Sequence, residues 1–223
     1  MDMMHKVVAV DGPSASGKST VSRRVADALG AFYVDSGALY RAVTFLALDG
    51  SVAVTDEAAV LTMMDRVQVE TGLRDGAVFM RFNGHELGKD LRTAYVNDAV
   101  SLIAAMAGVR KQVVGWLRAM RDRGPLVMEG RDIGTVVFPD TPYKFYLDAS
   151  PEERARRRHA ELQTDAADVQ HVAASLQRRD GLDQARQTAP LKIAADAVRI
   201  DSTAVGIDEV VKKIVADVRA RGF

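Results

Sequence analysis

Val7-Val8-Ala9-Val10-Asp11-Gly12-Pro13-Ser14-Ala15-Ser16-Gly17-Lys18-Ser19-Thr20 is the stretch that decides the fold. Its four opening apolar residues do not alternate with polar ones, the pattern of a parallel strand buried on both faces. After Asp11, the eight residues 12–19 match G-x-x-x-x-G-K-[ST] at Gly12, Gly17, Lys18 and Ser19. Val21, Val25, Ala28 and Leu29 then fall on one helical face, and Gly30 ends the run. In a strand–turn–helix of this kind the glycines let backbone N–H groups turn inward around phosphates. The helix N-terminus adds its positive dipole end. Lys18 is placed to follow the β- and γ-oxygens, and the Ser19 hydroxyl to ligate Mg²⁺. The stretch implies a nucleoside triphosphate with magnesium and leaves the reaction open.

Working outward, residues 32–34 form a second short strand, and Ser36 is placed to cap a helix through Tyr40, Val43 and Ala47. Thr55, followed by Asp56 and Glu57, opens a third helix. Residues 67–87 read as a small antiparallel meander of three strands, with turns at Asp75-Gly76 and Asn83-Gly84. Helical patterns occupy 93–106, 109–123 and the Arg-rich 151–179. Strands lie at 126–128, 143–147 and 198–200. A final helix carries Ile207, Val210, Val211, Ile214, Val215 and Val218 on one stripe. Strands separated by helices predict an α/β fold with a parallel sheet covered on both faces.

The chain has 223 residues, a length that suits one domain, and balances 30 basic against 30 acidic residues. The neutral total excludes coating of nucleic acid by bulk charge. The basic residues divide into 22 Arg and 8 Lys. Arg is the residue suited to a bidentate grip on phosphate. With no Cys, thiolate metal sites and cysteine nucleophiles are excluded. No apolar run reaches membrane-spanning length, and the N-terminal run is too short for a signal peptide, so a cytoplasmic location is expected. His5, His85, His159 and His171 share no ligand spacing and are expected at the surface. Trp116 is expected in the core.

A guanine-specific switch protein would carry an Asn-Lys-x-Asp segment, and none occurs. A small kinase fits the size. Charged clusters follow three elements: Asp35-Ser36-Gly37 with Tyr40-Arg41, Glu129-Gly130-Arg131-Asp132, and Arg179-Asp180 with Asp183 and Arg186. Ligands of open α/β sheets sit beyond the carboxyl ends of the strands, so the first two clusters should converge on the phosphate loop. Several arginines aimed at one cleft suit an acceptor that is itself a phosphate. Such an acceptor is mostly dianionic at neutral pH and needs no strong base. Two alternatives stay open: a kinase for an alcohol such as shikimate or gluconate, with Asp35 as base, and an RNA-binding regulator.

The chain resembles the bacterial cytidylate kinases over essentially its whole length. The resemblance rests on VDGPSASGKST (10–20), DSGALYR (35–41), LRTAYVNDAVS (91–101), VRKQ (109–112), EGRDIGTVVFPD (129–140), FYLDASPEERARRR (145–158) and RRDGLDQAR (178–186). It implies phosphoryl transfer from ATP to CMP or dCMP with Mg²⁺, by a cytoplasmic monomer that engages neither nucleic acid polymer nor membrane. UMP is the alternative acceptor. It implies a core of 1–60, 107–150 and 187–223, a monophosphate-binding region at 61–106 that includes the meander, and a helical lid at 151–186. Gly12 to Thr20 would hold ATP, with Arg154, Arg157 and Arg158 closing from the lid and Ser19 on the metal. Ser101, Arg110 and Asp132 would read cytosine. Arg41, Arg131 and Arg186 would clamp the acceptor phosphate, Arg179 and Asp183 would contact ribose, and Ser36, Gly37 and Tyr40 would line the pocket. Lys18, Arg131, Asp132 and Arg186 would carry catalysis. Ala15 stands where the family usually has Gly, and Gln184 where it often has Ser.

Overall fold

In the computed structural model, which describes residues 6–162 and 169–223, every residue of β1 (Val7–Asp11) is buried. β1 pairs in parallel with β5 (Leu126–Gly130) on one side and β6 (Tyr143–Asp148) on the other. β2 (Phe32–Asp35) lies parallel outside β5, with Asp35 level with Glu129, and β7 (Val198–Asp201) lies parallel outside β6. With the antiparallel hairpin of β3 (Val69–Arg74) and β4 (Ala77–Phe82), the sheet order is β3-β4-β2-β5-β1-β6-β7.

The unalternating strands are explained by cover on both faces. On one face α1 (Lys18–Leu29) and α8 (Ile207–Ala220) bury Val8, Val10, Val25, Phe145, Leu147 and Ile214. On the other, α2 (Ser36–Asp49), α3 (Glu57–Met64), α4 (Ala94–Ile103) and α5 (Ala107–Ala119) enclose Leu39, Ile103, Leu117, Leu126 and Met128. Each fully buried side chain of this size contributes about 1.5–3 kcal/mol. Trp116 packs partly buried against this second core, as expected. α6 (Pro151–Leu162) and α7 (Val169–Ala185) pack on each other through Ala155, Val172 and Leu176. Residues 163–168 of the expected helical stretch, and His5, lie outside the described residues. Among the described residues no single helix is long and apolar enough to cross a membrane.

The expected third meander strand is not there. The turn at Asp75 (φ +49°) and Gly76 (φ +70°) joins β3 to β4 as expected, but after Asn83-Gly84 only an isolated bridge between Phe82 and His85 forms. After His85 the chain leaves the sheet and enters a 3-10 turn at Lys89–Arg92, while β4 takes β3 on one side and meets β2 at Tyr33↔Ala77, the start of β4, on the other. The hairpin therefore extends the main sheet. Two helix starts are also corrected. Asp35 caps α2, accepting the Ala38 N–H at 3.2 Å, and Asp56 caps α3, accepting the Ala59 N–H at 3.0 Å. A carboxylate adjacent to the helix dipole displaces the neighbouring hydroxyls, Ser36 and Thr55, from that role.

Candidate active site

The carboxyl ends of β1, β2 and β5 deliver the phosphate loop, Asp35 and Glu129-Gly130 to one cleft of about 340 Å³. The loop needs its first glycine: at Gly12 (φ +153°) a Cβ would sit 2.0 Å from the Leu147 carbonyl oxygen. Ala15 is left-handed at φ +58°. Its methyl packs against the cluster of Ala155, Val172 and Leu176. The left-handed strain costs about 1–2 kcal/mol, and burial of the methyl returns about 0.8 kcal/mol.

Lys18 is buried, its Nζ folded back onto the Pro13 carbonyl at 2.5 Å and the Ser16 hydroxyl at 3.3 Å. Burial, then the neighbouring Arg131, lowers its pKa to about 7. Ser19 and Thr20 are exposed at the start of α1. The Ser19 hydroxyl meets buried Glu129, which also accepts from the Tyr33 hydroxyl. Burial, then Asp35, pushes the Glu129 carboxyl up.

Facing the loop is a concentration of arginines. Arg41 lies 3.6 Å and Arg92 3.4 Å from Asp35. Arg41 Nε and Nη1, Arg179 Nε and Arg186 Nε are shielded from solvent and make no hydrogen bond. Burial depresses all three of these guanidinium groups, Arg179 to about 10 with Arg131 and Arg41 adding repulsion. Arg41 and Arg186 still have carboxylate neighbours in Asp35 and Asp183, but shielded N–H groups left without acceptors are costly, and an anion in the cleft would satisfy them.

Asp183, 3% exposed, gathers three of the expected residues: it accepts from Arg131 Nε at 3.0 Å, from the Ser101 hydroxyl at 3.3 Å and from Arg186 Nη2. Arg131 Nη2 also donates to the Ser14 hydroxyl at 2.8 Å. Arg110, only 2% exposed, donates to Asp132 and to the Ala104 carbonyl at 3.0 Å, and its guanidinium lies 5.3 Å from the centre of the Tyr40 ring. Burial raises the Asp132 carboxyl and pushes the Tyr40 hydroxyl up to about 12. Ser36 donates to the Glu129 carbonyl at 2.6 Å, holding the start of α2 against the end of β5.

Most expected residues line this cleft. Gly12, Pro13, Arg110, Arg154 and Arg157 do not reach its wall. Arg110 stands behind Asp132. Arg154 donates to the Ser14 carbonyl at 3.1 Å and to Asp180, and Arg157 to the Ser16 carbonyl at 3.2 Å and the Ser202 hydroxyl at 3.0 Å. Arg158 does line the cleft, next to Glu161 at 3.0 Å. Glu153 pairs with Arg156 and Arg157 at helical spacing. Arg92 and Asn97, outside the residues expected from the sequence, also line the wall. As lone polar residues they carry no spacing signal. His85 and His171 are exposed, as expected. Among the described residues no cluster of three His, Cys, Asp or Glu side chains is positioned for a metal.

The chain that builds this cleft is similar to known proteins. A cytidylate kinase of Geobacillus sp. (strain WCH70) is 41% identical over 216 residues, 96% of each chain. One from Geobacillus kaustophilus (strain HTA426) is 42% identical over 216 residues, again 96% of each. A gluconokinase from Sinorhizobium meliloti 1021 superposes with a TM-score of 0.51 at 15% identity, covering 100% of both chains, and so shares the fold alone. The sequence profile of the family described as cytidylate kinase matches residues 8–220, which takes in both sides of the cleft: the chain belongs to the cytidylate kinase family.

Proposed function

We propose that this kinase moves the γ-phosphoryl group of ATP to CMP or dCMP within the cleft between the Lys18 loop and Arg41, Arg179 and Arg186. The observation that carries the assignment of sides is that these three residues line the cleft and each has a shielded guanidinium nitrogen without a hydrogen bond, whereas Arg110, whose Nε is also unbonded, lies behind the wall. An acceptor dianion supplies the missing hydrogen bonds and restores the charge that burial disfavours. No residue needs to remove a proton from a phosphate acceptor. Asp35, the base an alcohol acceptor would require, is already committed to capping α2 and to pairing with Arg41 and Arg92.

Catalysis in this reading is positioning and neutralisation. Lys18 turns from the Pro13 carbonyl to the transferring group. Arg131, between Ser14 and Asp183, stands where donor and acceptor phosphates meet. Ser101, Asp132 and the buried Arg110 behind it recognise cytosine, and Asp183 recognises the ribose together with Arg179, which reaches it from beside the acceptor phosphate. The exposed Ser19 hydroxyl beside Glu129 fits Mg²⁺, which in phosphoryl transfer neutralises charge on the β- and γ-oxygens. We assign residues 151–186 as the lid over ATP and 61–106 as the monophosphate-binding region. In this reading the enzyme acts as a cytoplasmic monomer.

A coupled assay for ADP tests this. CMP and dCMP are expected to stimulate ATP consumption strongly, while AMP, GMP and shikimate leave it near background. Stimulation by shikimate, or none by CMP, overturns the assignment.

A further inference from the structure

Asp180 has no part in the chemistry above, yet it is 6% exposed and accepts the Ser14 N–H of the phosphate loop at 3.0 Å, 166 positions away in sequence. Its other oxygen accepts from Arg154, which also donates to the Ser14 carbonyl at 3.1 Å. The Ser14 hydroxyl is taken by Arg131 at 2.8 Å. All three polar groups of Ser14 are therefore held by residues outside the loop.

These contacts close a ring. Asp180 and Asp183 lie three residues apart on α7, so their side chains share a helical face. Asp180 grips Ser14, Asp183 grips Arg131 at 3.0 Å, and Arg131 returns to Ser14. The ring is reinforced by the Ala15 methyl packed against Val172 and Leu176 of the same helix. α7 also carries Arg179 and Arg186 is one residue beyond its end, so one rigid element touches the donor loop and presents the acceptor cations.

We propose that Asp180 is a positioning residue that couples the two nucleotide sites: a triphosphate that fixes the loop around Ser14 fixes, through α7, the arginines that take the monophosphate. This rests on the donor and acceptor sides assigned above. Coupling of this kind is reciprocal and typically amounts to about 5- to 150-fold in affinity.

The test is the dissociation constant of CMP, measured by calorimetry with and without saturating β,γ-methylene ATP and Mg²⁺. In the wild type the analogue is expected to tighten CMP by about 5-fold or more. In Asp180→Asn, and in Asp180→Ala, that ratio is expected to fall to within about 2-fold of unity, while CMP alone binds within about 3-fold of wild type. A residue that merely supported the fold would weaken both measurements together and leave the ratio intact. An unchanged ratio in the variants, no coupling in the wild type, or failure of both variants to fold each overturns the proposal. Failure of the wild type to bind CMP at all refutes the acceptor assignment instead.

Discussion

Asp11 and Gly134 are joined across 123 positions of sequence: the Gly134 N–H donates to one oxygen of the Asp11 carboxylate at 2.8 Å, and the Ile133 N–H to the other at 2.8 Å. The last residue of β1 thus fastens the π-helical turn Ile133–Val137, which follows Arg131 and Asp132, to the root of the phosphate loop. A carboxylate is suited to this because it presents two acceptors, whereas an amide presents one.

At pH 7, where the carboxylate is ionised and accepts both N–H groups, Asp11→Asn is expected to turn an NH₂ toward one of them, destabilising the fold by about 1–3 kcal/mol. The pH dependence follows from burial, which outweighs the two N–H bonds and raises the Asp11 pKa from 3.8 to about 6. Between these values the native state holds a proton that the unfolded chain has lost. The Asp11 contribution is therefore fully present below about pH 4 and declines as pH rises to about 6, by about 3 kcal/mol. Urea denaturation from pH 4 to 7 should show the gap between wild type and Asp11→Asn narrowing with rising pH. A gap that widens would reverse the sign assigned here.

Arg131→Ala is expected to lower kcat for CMP by about 1,000-fold, the scale of an arginine that neutralises a transferring phosphoryl group. Asp183 keeps Arg186 and Ser101 as partners, so the fold should survive. Steady-state kinetics with a circular-dichroism control checks both, and near-normal kcat would remove Arg131 from the meeting point of the phosphates.

Arg110 and Asp132 form a buried pair, 2% and 4% exposed. Arg110→Met leaves the Asp132 charge without its counterion and is expected to cost about 3–5 kcal/mol. Adding Asp132→Asn should recover most of that loss, since no charge remains buried. The double variant should still fail to prefer CMP over UMP. Recovery of that preference along with stability would mean the pair serves packing alone.

Much of the architecture was legible because its causes are local. Val7 to Thr20 hold strand, loop and helix start in unbroken succession, and Asp75-Gly76 favours positive φ at the turn whatever surrounds it. The parallel sheet and its helical cover follow from such runs. The missing third strand beyond Asn83-Gly84 did not follow, because the Asn83-Gly84 turn forms and pairs Phe82 with His85, yet the chain then departs for the turn at Lys89–Arg92 rather than continuing along β4. Nor did the caps, where Asp35 and Ser36 are equally plausible until the chain's path selects one.

The cleft divides along the same line. The loop around Lys18 and the arginines of the 35–41, 129–140 and 178–186 segments are readable as types in a pattern. Which arginines are satisfied and which are not is decided only in three dimensions. Arg110 is buried against Asp132 behind the wall, its Nε without a hydrogen bond, and Arg154 is spent on Ser14 and Asp180, while Arg41, Arg179 and Arg186 keep such shielded nitrogens on the cleft wall itself. Backbone conformation depends on neighbours a few residues away, so sequence determines it. The partner of a charge depends on what tertiary folding brings within about 3 Å, and for Asp180 that partner lies 166 residues upstream.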